Sequence, residues 1–212
     1  MFNELTDKAH QDFKARHQVR ENALKQTRML TRHAANAIRA IHRSERETAE
    51  ENMDAADSIV ANLSNSLKDY PEFYFSGYTQ DALKEYVEAR LTINFLENKP
   101  FPSPEELGIE YCTYLRGMAE TIGEMRRRCL DILRQGYSDE AERLLDIMDE
   151  IYSLLVTIDY PDAITYGLRR QTDLVRGIIE RTRADLTLSL REQHMQQALK
   201  EFEERIINNG TK

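Results

Sequence analysis

Two glutamates one helical turn apart are the sharpest chemical feature of this 212-residue chain. Glu85 and Glu88, in Lys84-Glu85-Tyr86-Val87-Glu88-Ala89, stand at i and i+3 and project from one face of a helix that holds them. Ala82, Ala89, Thr92, Phe95 and Leu96 surround them, and Leu83, Val87, Leu91 and Ile93 lie opposite. A helix apolar on both sides is buried on both sides. Two carboxylates placed there repel each other and are costly to desolvate unless a cation joins them. Such a pair inside a helical bundle can hold Mg2+ or Mn2+, and it can equally salt-bridge to arginines of a neighbouring helix. Asp149 and Glu150 flank the apolar stripe of a later helix, and Glu124 lies opposite the stripe of another. Any of the three could complete a metal site, and spacing alone does not say which of them meets the pair.

A second feature is charge asymmetry. The chain carries a net charge of −8, yet residues 1–46 hold ten Lys and Arg against five Asp and Glu, with four of the five histidines. At 100° per residue, Lys14, Lys25, Arg28, Arg32, Arg39, Arg43 and Arg46 fall within one 60° arc, a row about 48 Å long, with His10 and His17 at its edge. A one-sided row rich in guanidinium groups suits the regular charge of a nucleic-acid backbone. Asp7, Glu21 and Glu50 share the arc, so a solvated face fits the same pattern.

These residues need helices to position them. The first 70 residues contain neither Gly nor Pro and are rich in helix formers. The pattern predicts helices over about 4–43, 46–69, 78–97, 109–134, 139–158 and 162–206, with a short turn opened by Ser103-Pro104. Every proline falls between helices. The expectation is an all-α bundle of about six to seven helices forming a single domain over 1–212. Helices near 40 residues are too long to be covered by one such bundle, which predicts a homo-oligomer.

Other classes drop out. No apolar run reaches the roughly 18 residues of a membrane span, and the N-terminus lacks the apolar region of a secretory signal. Cys112 and Cys129 have no metal-ligand spacing, and a cytoplasmic location with reduced thiols is expected. There is no Gly-rich phosphate loop, no Cys-x-x-Cys and no Gly-x-Ser-x-Gly.

The segment Lys84–Ala89 resembles the Q-E-Y-V-E-A segment of the translin superfamily, comprising translin and translin-associated factor X. Leu115-Arg116-Gly117 through Gly123-Glu124-Met125-Arg126-Arg127-Arg128-Cys129 is similar to that family's Y-L-x-G…G-E-L-x-R-x-C. Tyr160–Thr165, Gly167–Arg170 and Glu180–Arg183 resemble its archaeal branch. The resemblance spans nearly the whole chain. It implies a translin-like all-α protomer in a hollow octamer that encloses single-stranded RNA or DNA. The factor X branch implies metal-dependent endoribonuclease activity resting on three acids. Two of these map onto Glu85 and Glu88. The third, an Asp in the family, maps onto Glu150, with Asp149 one place before it. Translin proper carries an Arg/His-rich segment before this helix, where the present chain has Ser76-Gly77-Tyr78-Thr79-Gln80. The resemblance therefore implies the catalytic branch, with Mg2+ or Mn2+ as cofactor, and the charge pattern offers the helix-1 cations Lys14, Lys25, Arg28, Arg32, Arg39 and Arg43 for the nucleic acid. A non-catalytic shell binding single-stranded RNA or DNA is the alternative.

Overall fold

The computed structural model describes residues 2–210. Among them there are nine helices and no strand. In chain order they are α1 (Phe2–His42), α2 (Arg46–Ser66), α3 (Pro71–Tyr74), α4 (Gly77–Leu96), α5 (Pro104–Leu107), α6 (Tyr111–Leu133), α7 (Asp139–Leu155), α8 (Asp162–Thr165) and α9 (Leu168–Gly210). None of them is long and apolar enough to cross a membrane. The chain divides into two compact units, Met1–Met118 and Ala119–Lys212, and the junction falls inside α6.

The first unit packs α1 against α2 and α4. Only the second half of α1 is covered: its buried side chains begin at Ala23 and continue through Thr27, Leu30, Ala34, Ile38 and Ile41. From Phe2 to Asn22 the side chains are exposed or half-buried. α1 ends where Ser44 adopts a left-handed φ of 63°. The chain reverses there, so Arg46 opens α2 and leaves the basic row, which now ends at Arg43.

α4 is the central element. Leu83, Val87, Leu91 and Ile93 are buried on one side, and Ala82, Ala89, Thr92 and Phe95 on the other, as the two-sided apolar pattern requires. α5 is held by a capping box: the Ser103 hydroxyl accepts from the Glu106 N–H, and Glu106 accepts from the Ser103 N–H at 2.7 Å.

In the second unit α7 packs on α9. Ser138 caps α7, which buries Ala141, Leu144, Leu145, Met148, Ile151 and Leu155. α9 answers with Leu168, Thr172, Val175, Ile179, Thr182 and Leu186, an alternating four-and-three spacing typical of a helix–helix seam. The last helix begins later than the sequence pattern predicts, because Tyr166 and Gly167 take φ values of 47° and 84° and separate α8 from α9. Beyond Leu186 the apolar side chains move to the opposite face of the helix, where Leu188, Met195, Leu199, Phe202 and Ile206 are exposed.

Candidate functional site

α6 approaches α4 closely because Gly117 has no side chain. A Cβ there would lie 2.8 Å from the Lys84 carbonyl oxygen and from Val87 Cβ and Cγ1. Glu120 follows one turn later on the same face of α6. The result is a group of three carboxylates: Glu85, Glu88 and Glu120 each offer an oxygen, all within 4.8 Å of one another, and all three residues are half-buried.

Glu120 is the acid that sequence spacing did not single out. Glu124, one turn further along α6, is half-buried beside Arg127, whose Nη1 lies 3.5 Å from it. Asp149 is engaged elsewhere: Arg183 Nη2 donates to both its oxygens at 2.7 and 2.6 Å. That bond also raises the Arg183 pKa further above the solution range. Glu150 is exposed on α7. The group that forms on α4 and α6 therefore contains neither residue of the Asp149-Glu150 pair.

Polar neighbours engage the group. Lys84 Nζ lies 3.2 Å from Glu85 Oε1, with the lysine side chain only 11% exposed. Gln171 Nε2 donates to Glu120 Oε1 at 3.1 Å. The donor set is all carboxylate oxygen, with no His or Cys. That chemistry fits a hard cation such as Mg2+ or Mn2+ and disfavours zinc.

Rotation of α4 is fixed from its other side. The Tyr86 hydroxyl donates to Asp57 Oδ1 at 2.7 Å, and Arg90 Nη2 reaches both Asp57 oxygens at 2.7 and 2.6 Å. Burial, and then the bond to Asp57, push the Tyr86 phenol far above its ordinary range, so it stays a donor. With Tyr86 tied to α2, its neighbour Glu85 and Glu88 one turn on point away from Asp57 toward α6.

The basic row lies on the exposed face of α1. Lys14, Lys25, Arg28, Arg32, Arg39 and Arg43 all line it, exposed or half-buried. Of the acids that the sequence pattern puts in this arc, Glu21 pairs with Arg20 on α1, and Glu50 leaves the arc with α2 and pairs with Lys99. Arg39 donates to Asn36, an uncharged partner, at 2.5 Å. Arg28 and Glu85 share a groove of about 390 Å³ between α1 and α4, so the row and the carboxylates meet there.

Thiol chemistry finds no support. Burial pushes the Cys129 thiol up to about 11 and raises that of Cys112 as well. Neither is a thiolate nucleophile at neutral pH.

The translin family profile matches residues 18–206. An uncharacterized protein of Methanocaldococcus jannaschii is 33% identical over 184 residues, covering 86% of this chain and 81% of that protein. AfC3PO, solved in a complex with duplex RNA, is 32% identical with a TM-score of 0.81, covering 91% of this chain and 98% of that one. A second AfC3PO structure gives a TM-score of 0.80 at the same identity and coverage. Apo-NeC3PO, 24% identical over 87% of this chain and 96% of its own, shares the fold with a TM-score of 0.78. With the profile covering most of its length, the chain belongs to the translin family.

Proposed function

We propose that this chain is the subunit of a cytoplasmic, homo-oligomeric endoribonuclease that uses Mg2+ or Mn2+ to cut single-stranded RNA, with single-stranded DNA as a further ligand. The observation that carries this reading is the group Glu85, Glu88 and Glu120, with Glu85 also lining the groove that holds Arg28.

A divalent ion held by these carboxylates supplies a Lewis acid for the phosphodiester and a bound water of lowered pKa. The remaining work belongs to the chain. Arg28, with Arg32, Arg39 and Arg43 further along α1, holds the strand by its phosphates. Gln171 orients Glu120, and Gly117 keeps α6 close enough to α4 for Glu120 to reach the pair. Lys84 offsets one of the three negative charges until a stronger cation arrives.

The likeness to AfC3PO, which has been solved with duplex RNA, supports RNA as the ligand class. The assembled state, an octamer by family likeness, rests on exposed apolar side chains along both long helices. Phe2, Leu5 and Phe13 on α1 and Leu188, Met195, Leu199, Phe202 and Ile206 on α9 present apolar surface that other copies of the chain would cover.

A non-catalytic binding shell is the second reading. It is favoured by the Lys84–Glu85 and Gln171–Glu120 contacts, which engage two of the acids without metal. Incubating the purified assembly with labelled single-stranded RNA, with and without Mg2+, separates the two. Cleavage only with the ion supports the nuclease, and tight binding without cleavage supports the shell.

A further inference from the structure

The groove between α1 and α4 has more chemistry than a phosphate track requires. Leu24, Ala82 and the ring of Tyr78 give it apolar walls, and Arg28, Asp81 and Glu85 stand among them as charged groups. A phosphate needs only the cation, and it is repelled by Asp81. In RNA the component with broad apolar faces and a hydrogen-bonding edge is the base, and single strands are read by splaying bases into such pockets. The groove's volume of about 390 Å³ is ample for one base.

We propose that this groove is a base subsite for a single-stranded substrate, and that Asp81 makes it select guanine. Asp81 is 62% exposed, and its Oδ1 lies 3.2 Å from Arg116 Nη2, which restrains the carboxylate. A carboxylate accepts at both oxygens and cannot donate. Guanine alone presents two adjacent donors, N1–H and N2–H2, on its pairing edge. Adenine and cytosine set a single amino group beside a ring-nitrogen acceptor, which faces carboxylate lone pairs. Uracil sets one N–H between two carbonyls. Glu85 lines the groove and belongs to the carboxylate group, so a base seated here places its own backbone next to the proposed metal centre. Arg28 on the α1 wall meets the strand's charge on the other side. Only the position of the cut rests on the nuclease reading; the base preference stands without it.

The test uses the full-length assembly and short oligouridine strands carrying one guanosine, inosine or adenosine. Fluorescence anisotropy in EDTA reads binding alone. The guanosine strand should bind about tenfold tighter than the adenosine or all-uridine strand, the scale of one bidentate base contact. Inosine, which lacks the 2-amino group, should fall between them. Asp81→Asn should remove the guanosine advantage, and Thr31→Phe, which fills the groove, should do the same while light scattering shows the parental mass. With Mg2+, product ends should lie at a fixed distance from the guanosine. Equal affinities for all strands would overturn the subsite, as would a preference that survives both substitutions. A change of assembly mass in Thr31→Phe with RNA preference intact would assign the groove to another copy of the chain, and would overturn it too. Guanosine-selective binding without any cleavage would leave the subsite standing and remove the nuclease. Cleavage without base preference would do the reverse.

Discussion

Gly117 and Val87 stand where only hydrogen fits between two helices: a Cβ on the glycine would lie 2.8 Å from Val87 Cβ. Both residues belong to helix interiors, where glycine costs roughly 0.5–1 kcal/mol relative to alanine. That cost is offset by bringing α6 against the backbone of α4, one turn before Glu120. Gly117→Ala should therefore push the helices apart, destabilising the protein by about 1–3 kcal/mol. Mn2+ affinity, read by titration calorimetry, should fall about tenfold or more, as when a residue supporting metal ligands is changed. Parental affinity in this variant would show that Glu120 does not depend on the close approach.

Lys84 competes with a metal for Glu85. Its ammonium lies 3.2 Å from Oε1 and is almost fully covered. Lys84→Gln should tighten Mn2+ binding by about tenfold, since one charge interaction at this distance is of the order of 1–4 kcal/mol between aqueous and near-surface screening. The metal-free variant should melt below the parent, because three carboxylates then stand together with less compensation. Unchanged Mn2+ affinity would remove Lys84 from the account.

The α1 row should behave as a phosphate track. Arg32 and Arg39 lie on the solvent side of α1, so Arg32→Ala with Arg39→Ala should leave thermal stability nearly unchanged. RNA binding should weaken, and the slope of log affinity against log salt should flatten by about 0.7 for each phosphate no longer neutralised on a single strand. A slope equal to the parent's would make the row a solvated face.

The exposed half of α9 should hold copies of the chain together. Leu199 and Phe202 lie on the face of α9 opposite its buried seam, beside Met195 and Ile206, and are 55% and 62% exposed. Leu199→Glu with Phe202→Glu should lower the mass seen in light scattering while leaving helical content intact. An unchanged mass would place the subunit contacts elsewhere.

Much of this arrangement is legible in the chain. The two-sided apolar pattern of residues 82–96 announces that α4 is buried and that Glu85 and Glu88 sit among apolar neighbours. Ser103-Pro104 announces α5, and its capping box forms. Glu120 is not legible in the same way. Helical periodicity reports which side of α6 an acid occupies, but the meeting of α6 with α4 depends on a tertiary contact. The one local sign is Gly117, an otherwise unfavourable residue in mid-helix with an acid one turn later. Arg46 is lost from the basic row for a similar reason. The 100° pattern runs on past residue 43, but Ser44 takes a left-handed φ and reverses the chain. Asp149 and Glu150 flank an apolar stripe as metal ligands might, but the Arg183 fork that engages Asp149 comes from another helix and leaves no trace in local spacing.

The central claim is that Glu85, Glu88 and Glu120 bind a divalent ion that cuts RNA, and Glu88→Gln tests it most directly. The amide keeps the shape of the side chain but removes one of three negative charges held within 4.8 Å. Cleavage of labelled single-stranded RNA in Mg2+ should be abolished, RNA affinity in EDTA should stay at the parental level, and the metal-free variant should melt at or above the parent's temperature because repulsion is relieved. Cleavage by Glu88→Gln at the parental rate would contradict the carboxylate–metal mechanism and leave the RNA-binding shell as the function of this fold.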